Sequence, residues 1–288
     1  MQNKPPILPF ALTLLFKFTY MIRQLIFYFL FVLLPVTAFA QSAEMLGMGN
    51  TAYARKDINA IFGNQAGLAS LKSSSISINS ERRFSVGELG SHTLGAAIPT
   101  KAGTFGLTMN YFGFSEYNEQ KIGIAYARKL GEKFSLGAQF DYIGTRISEF
   151  GNTSTYTVEI GILATLTSQI ELGAHFFNPI SADRGIEEEP LKSVLSFGLS
   201  YKPSASLIMM ADVEAELDFD PRYKLGIDYS FSEKFYLRVG AYTSPTTLSL
   251  GVGLKVGDNL QIDVATSYQT ILGATPGIGI QYEFTSKK

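Results

Sequence analysis

The chain has 288 residues, 17% of them charged and 46% hydrophobic, with 27 Gly, 22 Phe and 15 Tyr but no Trp. A soluble domain carries about 25% charged residues, so this one is charge-poor. Its formal net charge of -1 excludes a nucleic-acid partner, which needs a basic excess, and the absence of Cys excludes disulfides, thiol nucleophiles and thiolate metal sites.

The N-terminus reads as an export leader. Met21-Ile22-Arg23 opens a short basic stretch, residues 25–34 form an apolar run, and Ala38-Phe39-Ala40 is a small-x-small cleavage site before Gln41. Met21 is the expected start, and residues 1–40 the expected leader with cleavage after Ala40. Beyond Ala40 no window approaches the roughly 18 to 20 apolar residues of a spanning helix. A mature chain in a membrane must therefore cross it as strands.

Residues 41–72 do not alternate. A short helix is predicted to start at the Asp57 cap and stop at Gly63-Asn64. Gly47-x-Gly49-x-x-Ala52 has the spacing of a dinucleotide fingerprint, but a cleavage site rather than a strand precedes it, which removes that reading.

Residues 73–288 alternate apolar with small or polar side chains in runs of about ten, the period of strands with two different faces. Phe105-Gly-Leu107-Thr-Met109-Asn-Tyr111 is one such run. The runs fall near 74–82, 93–99, 103–112, 120–129, 134–146, 155–165, 170–177, 193–203, 207–216, 222–231, 235–242, 247–256, 260–268 and 277–284. The fold class is accordingly all-β, a transmembrane antiparallel barrel of about fourteen strands. Three-residue links such as those at 131–133 and 257–259 alternate with longer ones near 83–92, 147–154 and 178–192, the pattern of periplasmic turns opposite external loops. Tyr111, Tyr126, Tyr142, Tyr201, Tyr229 and Tyr268 close the bulky faces like interfacial girdles.

A charge on the lipid face costs about 2 to 4 kcal/mol near the midplane, so charged positions are expected to face the lumen. Asp212, Glu214 and Glu216 share one face of the ninth run; Arg222 and Lys224 share one face of the tenth. Matched parity predicts Glu216 opposite Arg222 and Glu214 opposite Lys224, a lumen charge ladder that Arg238 extends. Inward positions are mostly small, including Gly106, Gly137, Gly161, Gly198, Gly251 and Gly253, and a barrel of this width is not filled by its own side chains. Water or a plug must occupy it. Phe112, Leu163 and Phe177 are candidate apolar groups along an inner path.

An enzyme is not expected. His92 and His175 lie on separate runs with no Ser and carboxylate at readable spacing, and His175 is expected to contact Glu171 along its own strand. No metal set and no cofactor motif is present. The loop at 181–190 is acidic and could meet a partner protein or, through divalent cations, lipopolysaccharide.

The chain closes on Gly279-Ile-Gln-Tyr282-Glu-Phe284, which resembles the C-terminal signal read by the barrel-assembly machinery. The residues Gly47-Met48-Gly49, Ala52, Ala54, Asp57, Ala60, Asn64 and Ala66-Gly67-Leu68-Ala69 resemble the N-terminus of the PorV/PorQ-like outer-membrane proteins of Bacteroidetes, and more distantly the FadL-type transporters of hydrophobic compounds. Gln65 departs from that pattern, which has Pro there. The resemblance implies a fourteen-stranded barrel in the outer membrane of a Gram-negative cell, with residues 41–72 (Gly47, Met48, Gly49, Asp57, Asn64, Gln65, Ala66 and Gly67 foremost) tucked into the lumen as a hatch. It implies either a passive channel for fatty-acid-like compounds or a type IX secretion and surface-assembly barrel that binds a partner protein.

Overall fold

The computed structural model describes residues 41–149, 151–183, 191–216 and 219–285. The expected leader, residues 184–190 of the acidic loop, and Leu217 and Asp218 lie outside them.

The alternating segments form fourteen antiparallel strands in one closed barrel. They are β1 (Ser75–Arg82), β2 (Gly90–Pro99), β3 (Thr104–Gly113), β4 (Tyr117–Leu130), β5 (Phe134–Ile147), β6 (Gly151–Thr165), β7 (Ile170–Phe177), β8 (Val194–Ser204), β9 (Leu207–Glu216), β10 (Arg222–Ser230), β11 (Phe235–Tyr242), β12 (Thr247–Val256), β13 (Leu260–Gln269) and β14 (Gly273–Glu283). Each strand pairs with its chain neighbours, and β1 closes on β14 with Ile78 opposite Ile280. Closure leaves no free edge, the condition for strands inside hydrocarbon.

The period-2 pattern sorts the faces. Outward positions keep large apolar side chains in the open, as with Ile124 at 63% and Leu248 at 62% exposure. Inward positions on the same strands are buried, and they carry the charges: Lys121, Asp141, Glu159, Asp212, Lys224, Asp228, Arg238 and Asp263 all point inside. Such an outer belt would be unfavourable in water by about 25 cal/mol per Å², and in lipid it is the membrane-facing surface.

Most strand limits match the sequence reading to within a residue or two. β2, β4, β6 and β14 each begin three or four residues earlier. The link expected at 147–154 shrinks to three residues, because Asn152 and Ser154, polar but inside the ladder, pair with Arg146 and Gly144. β14 likewise runs through Pro276, opposite Thr266.

The charge-ladder register is corrected. Arg222 lies opposite Glu214 and Lys224 opposite Asp212, two residues from the expected pairing. A slip of two preserves the face, so parity was right while the closing pair was not: Glu216 leaves the β9–β10 ladder and forms an ion pair with Lys192 at 3.0 Å.

Candidate functional site

Residues 42–68 lie inside the barrel, nearly all of them buried. The segment opens with α1 (Ala43–Gly47), capped by the Ser42 hydroxyl, which accepts from Met45 N at 3.2 Å. Gly49 and Asn50 then adopt φ of 64° and 60° and reverse the chain. Gly49 suits this bend twice over: a Cβ there would stand 2.6 Å from Leu225 O and 2.7 Å from Ala241 N on the wall. Gly47 approaches β12 a little less closely, its Cβ position 3.0 Å from Gly251 Cα.

The helix expected at Asp57 is a 3-10 helix, Ile58–Phe62, with Asp57 accepting from Asn59 N at 2.9 Å and Gly63 ending it. A second 3-10 helix, Gln65–Ser70, follows the Asn64 cap. Asn64 donates to Tyr53 O at 2.8 Å and to Ile162 O at 2.9 Å, joining the segment to itself and to β6. Met48 and Ala66 pack with Ala54, Leu163 and Met210. Ile58, Ala60, Ile61 and Leu68 pack against Ala97, Ala125 and Ala127 of the wall. Of the residues singled out in this segment, Gly47, Met48, Gly49, Asn64, Gln65 and Ala66 are thus brought against the barrel wall, whereas Asp57 and Gly67 contact the segment itself, at Arg55, Asn59 and Ala60.

Three polar clusters fasten it. At the first, Asp212 accepts from Ala52 N at 2.6 Å and Tyr53 N at 3.3 Å, while Lys224 donates to Asn50 O at 3.2 Å. Glu214 takes Lys224, Arg222 at 3.5 Å, and the Tyr53 hydroxyl. The expected Glu214–Lys224 ion pair thus exists, but diagonally. Burial and then the Glu214 carboxylate push the Tyr53 phenol well above its usual range.

At the second, Glu159 accepts from Gln65 at 2.6 Å, meets His175 Nε2 at 3.0 Å, and forms an ion pair with Lys121. His175 contacts Glu159 across the strand pair rather than Glu171. The latter is taken by Lys56. Tyr53 stacks on the His175 ring, centroids 5.6 Å apart.

At the third, Arg238 bridges Asp228 at 2.7 Å and Asp263 at 2.6 Å. Arg238 therefore belongs to this separate cluster and not to the Glu214 ladder, since its only facing register partner on β10 is Asp228. Beside it Glu44 accepts from Asn59 at 3.0 Å and Gln281 at 2.8 Å and pairs with Arg55. Burial alone would raise the Glu44 carboxyl, but Arg55, Arg238 and the Gln281 amide together hold it down at about 2.

Lys121, Asp141, Glu159 and Asp263 were not singled out from sequence, whereas Asp228 shares the inward face of the tenth run with Arg222 and Lys224. The first four are charged residues at inward parity with an apolar residue on at least one side, so the rule applied to β9 and β10 finds them too. Phe112, Leu163 and Phe177 do point inward and are buried. Leu163 is covered by the inner segment, whereas Phe177 packs with Ile143, Leu191 and Val194 near the long loop. His92 faces outward, stacked on Tyr111 at 6.4 Å. Tyr282 and Phe284 are exposed on the outer face, edge to face at 4.9 Å, and Gly279 faces Ala43 inside.

No protein-family model matches the chain, and no curated protein matches it. Solved structures do. It is similar to the Pseudomonas putida toluene transporter TodX, with 11% identity and a TM-score of 0.66 over 84% of this chain and 97% of that one. The Ralstonia pickettii toluene transporter TbuX shares 14% identity, with a TM-score of 0.67 over 86% and 100%. A Pseudomonas aeruginosa FadL homologue shares 12%, with a TM-score of 0.62 over 85% and 98%. At such identity the likeness is one of fold. Closed barrel, apolar outer belt and this likeness define a fourteen-stranded outer-membrane β-barrel of the FadL-like form.

Proposed function

We propose that the protein is a passive channel for small hydrophobic compounds, fatty-acid-like molecules included, and that residues 41–72 are the hatch that closes it. The observation that supports this reading is the fastening of the inner segment. Apart from its own packing, it is held to the wall by side-chain contacts that can break and re-form, at Asp212, Glu159 and Gln281. The toluene transporters named above have the same fold, which supports a hydrophobic cargo. Gly279, Tyr282 and Phe284 serve in this reading as the barrel-assembly signal, and lipopolysaccharide surrounds the loop end.

The test uses the absence of Cys. Ile61 Cγ2 lies 2.7 Å from where a Cβ on Gly95 would stand, so an Ile61→Cys, Gly95→Cys pair puts a sulfur within disulfide reach of the opposite Cβ. Uptake of labelled long-chain fatty acid and of toluene is measured in cells with the gene deleted, restored, and carrying the pair. Uptake lost on deletion, restored by the intact gene, and restored by the Cys pair only under reductant is the expected result. Unchanged uptake on deletion would move the weight to a second reading, a type IX secretion or surface-assembly barrel with a protein partner. The residues shared with PorV/PorQ-like proteins at Gly47–Gly49 and Ala66–Ala69 favour that reading.

A further inference from the structure

The two ends of the barrel carry opposite charge. Where the chain enters β1 and leaves β14, exposed cations ring the rim: Lys72 before β1, Lys101 in the β2–β3 turn, Lys129 and Lys133 around the β4–β5 turn, Lys202 ending β8, and Lys234 in the β10–β11 turn. Arg128 joins them on the outer face. Among the described residues the exposed carboxylates at this end are Glu132, Glu233, Asp258 and Glu283, so seven cations face four anions, an excess of three. Lys56 pairs with Glu171; these seven cations make no ion pair among the described residues. At the opposite end, among the described residues, the exposed carboxylates Glu88, Glu116, Glu149, Asp183 and Asp220 outnumber the exposed cations Arg82 and Arg146, five to two.

We propose that the basic rim is a collar that binds the headgroup phosphates of anionic glycerophospholipids. Three observations favour lipid. The cations are spread around the circumference, at four of the tight turns and at the chain entry, whereas a protein partner would cover one side. They also sit where the apolar belt ends: Lys133 precedes Phe134, 53% exposed, Lys234 precedes Phe235, 46% exposed, and Arg128 shares its face with Tyr126 and Ile124. That is the depth of a headgroup layer, and each Lys or Arg there is drawn to anionic lipid. Finally, a formal net charge of -1 gives the whole molecule no attraction for anionic lipid, so any preference must come from the rim. Short turns mark the periplasmic end of such barrels, which places the collar in the phospholipid leaflet rather than the lipopolysaccharide one. This inference stands whether or not the channel reading does.

The full-chain barrel is placed in nanodiscs of phosphatidylcholine with and without phosphatidylglycerol, and lipid retained on the protein is counted by native mass spectrometry beside thermal unfolding. The intact protein is expected to retain phosphatidylglycerol over phosphatidylcholine on the order of tenfold and to unfold later in its presence. Both effects should fade at high salt. Lys101→Gln, Lys133→Gln, Lys202→Gln and Lys234→Gln together should abolish the preference. These four side chains are exposed turn and rim positions, and the heat-dependent gel shift of a folded barrel confirms that the variant folds. Arg82→Gln with Arg146→Gln, at the other end, should leave the preference intact. Equal retention of the two lipids by the intact protein, or a preference that survives the fourfold variant, overturns the proposal.

Discussion

Gln65 donates its side-chain amide to Glu159 at 2.6 Å, joining the inner segment to β6. The turn itself does not need Gln. Asn64 is extended (φ -115°, ψ 100°), as a residue before Pro must be, and position 65 opens a 3-10 helix, where a backbone N–H is spare. What Gln adds over Pro is the tether, to a carboxylate that Lys121 and His175 already hold. Gln65→Pro is therefore expected to fold and to lose about 1 to 2 kcal/mol in urea unfolding from vesicles, with faster proteolysis of residues 42–68. Unchanged stability and unchanged proteolysis would show that the contact holds nothing.

Arg238 is 1% exposed and serves two carboxylates. Arg238→Met fills much of its volume but strands Asp228 and Asp263 without a cation, at a cost of about 3 to 5 kcal/mol. Adding Asp228→Asn and Asp263→Asn should return most of that loss, because the buried charge goes with the cation. Equilibrium unfolding of the single and triple variants checks this; a triple variant as weak as the single one would mean that Arg238 acts through packing.

The fold was legible because the lipid belt imposes the plainest possible signal, bulky side chains at every second position, over nearly every strand. The limits differ where that signal weakens: β6 opens with Gly151-Asn-Thr-Ser154 and β4 with Tyr117-Asn-Glu119, polar stretches that sheet pairing still holds. Parity placed Asp212, Glu214 and Lys224 on the inner face, yet it is blind to an offset of two, so Glu216 was given the wrong partner. The meeting of Glu44 with Gln281, 237 positions apart, could not be read at all, since only barrel closure brings the two ends of the chain together.

Glu44 gives the inner segment a pH dependence. Its carboxyl sits at about 2 against an ordinary 4.5, so the ionised form is favoured when the segment is in place. A depressed folded-state value contributes stability that is full above the ordinary value and is lost as pH falls from about 4.5 toward about 2. Hydrogen-exchange protection of residues 42–59, taken relative to the intrinsic rate at each pH, should fall through that window in the intact protein. Glu44→Gln should start from weaker protection and show a flatter profile; an identical profile in both would assign the pH response elsewhere.

The wall glycines offer a way to separate the barrel from the segment it holds. A Cβ on Gly226 would stand 2.8 Å from Thr51 Oγ1 and 2.9 Å from Met48 Cβ, and one on Gly198 would stand 2.9 Å from Tyr53 Cβ and 3.0 Å from Ala54 N. Most of these neighbours are backbone or Cβ atoms of the inner segment, which cannot swing aside as a side-chain tip can. The strands themselves should gain, because Gly weakens a strand interior. Gly198→Ala with Gly226→Ala is thus expected to leave barrel unfolding unchanged or slightly later while residues 48–54 lose hydrogen-exchange protection and hydrophobic uptake rises. Gly87→Ala, where nothing lies within 4 Å, should change neither. Protection of residues 48–54 that persists in the double variant would mean that the segment is held by its polar clusters alone, with the close glycine contacts incidental.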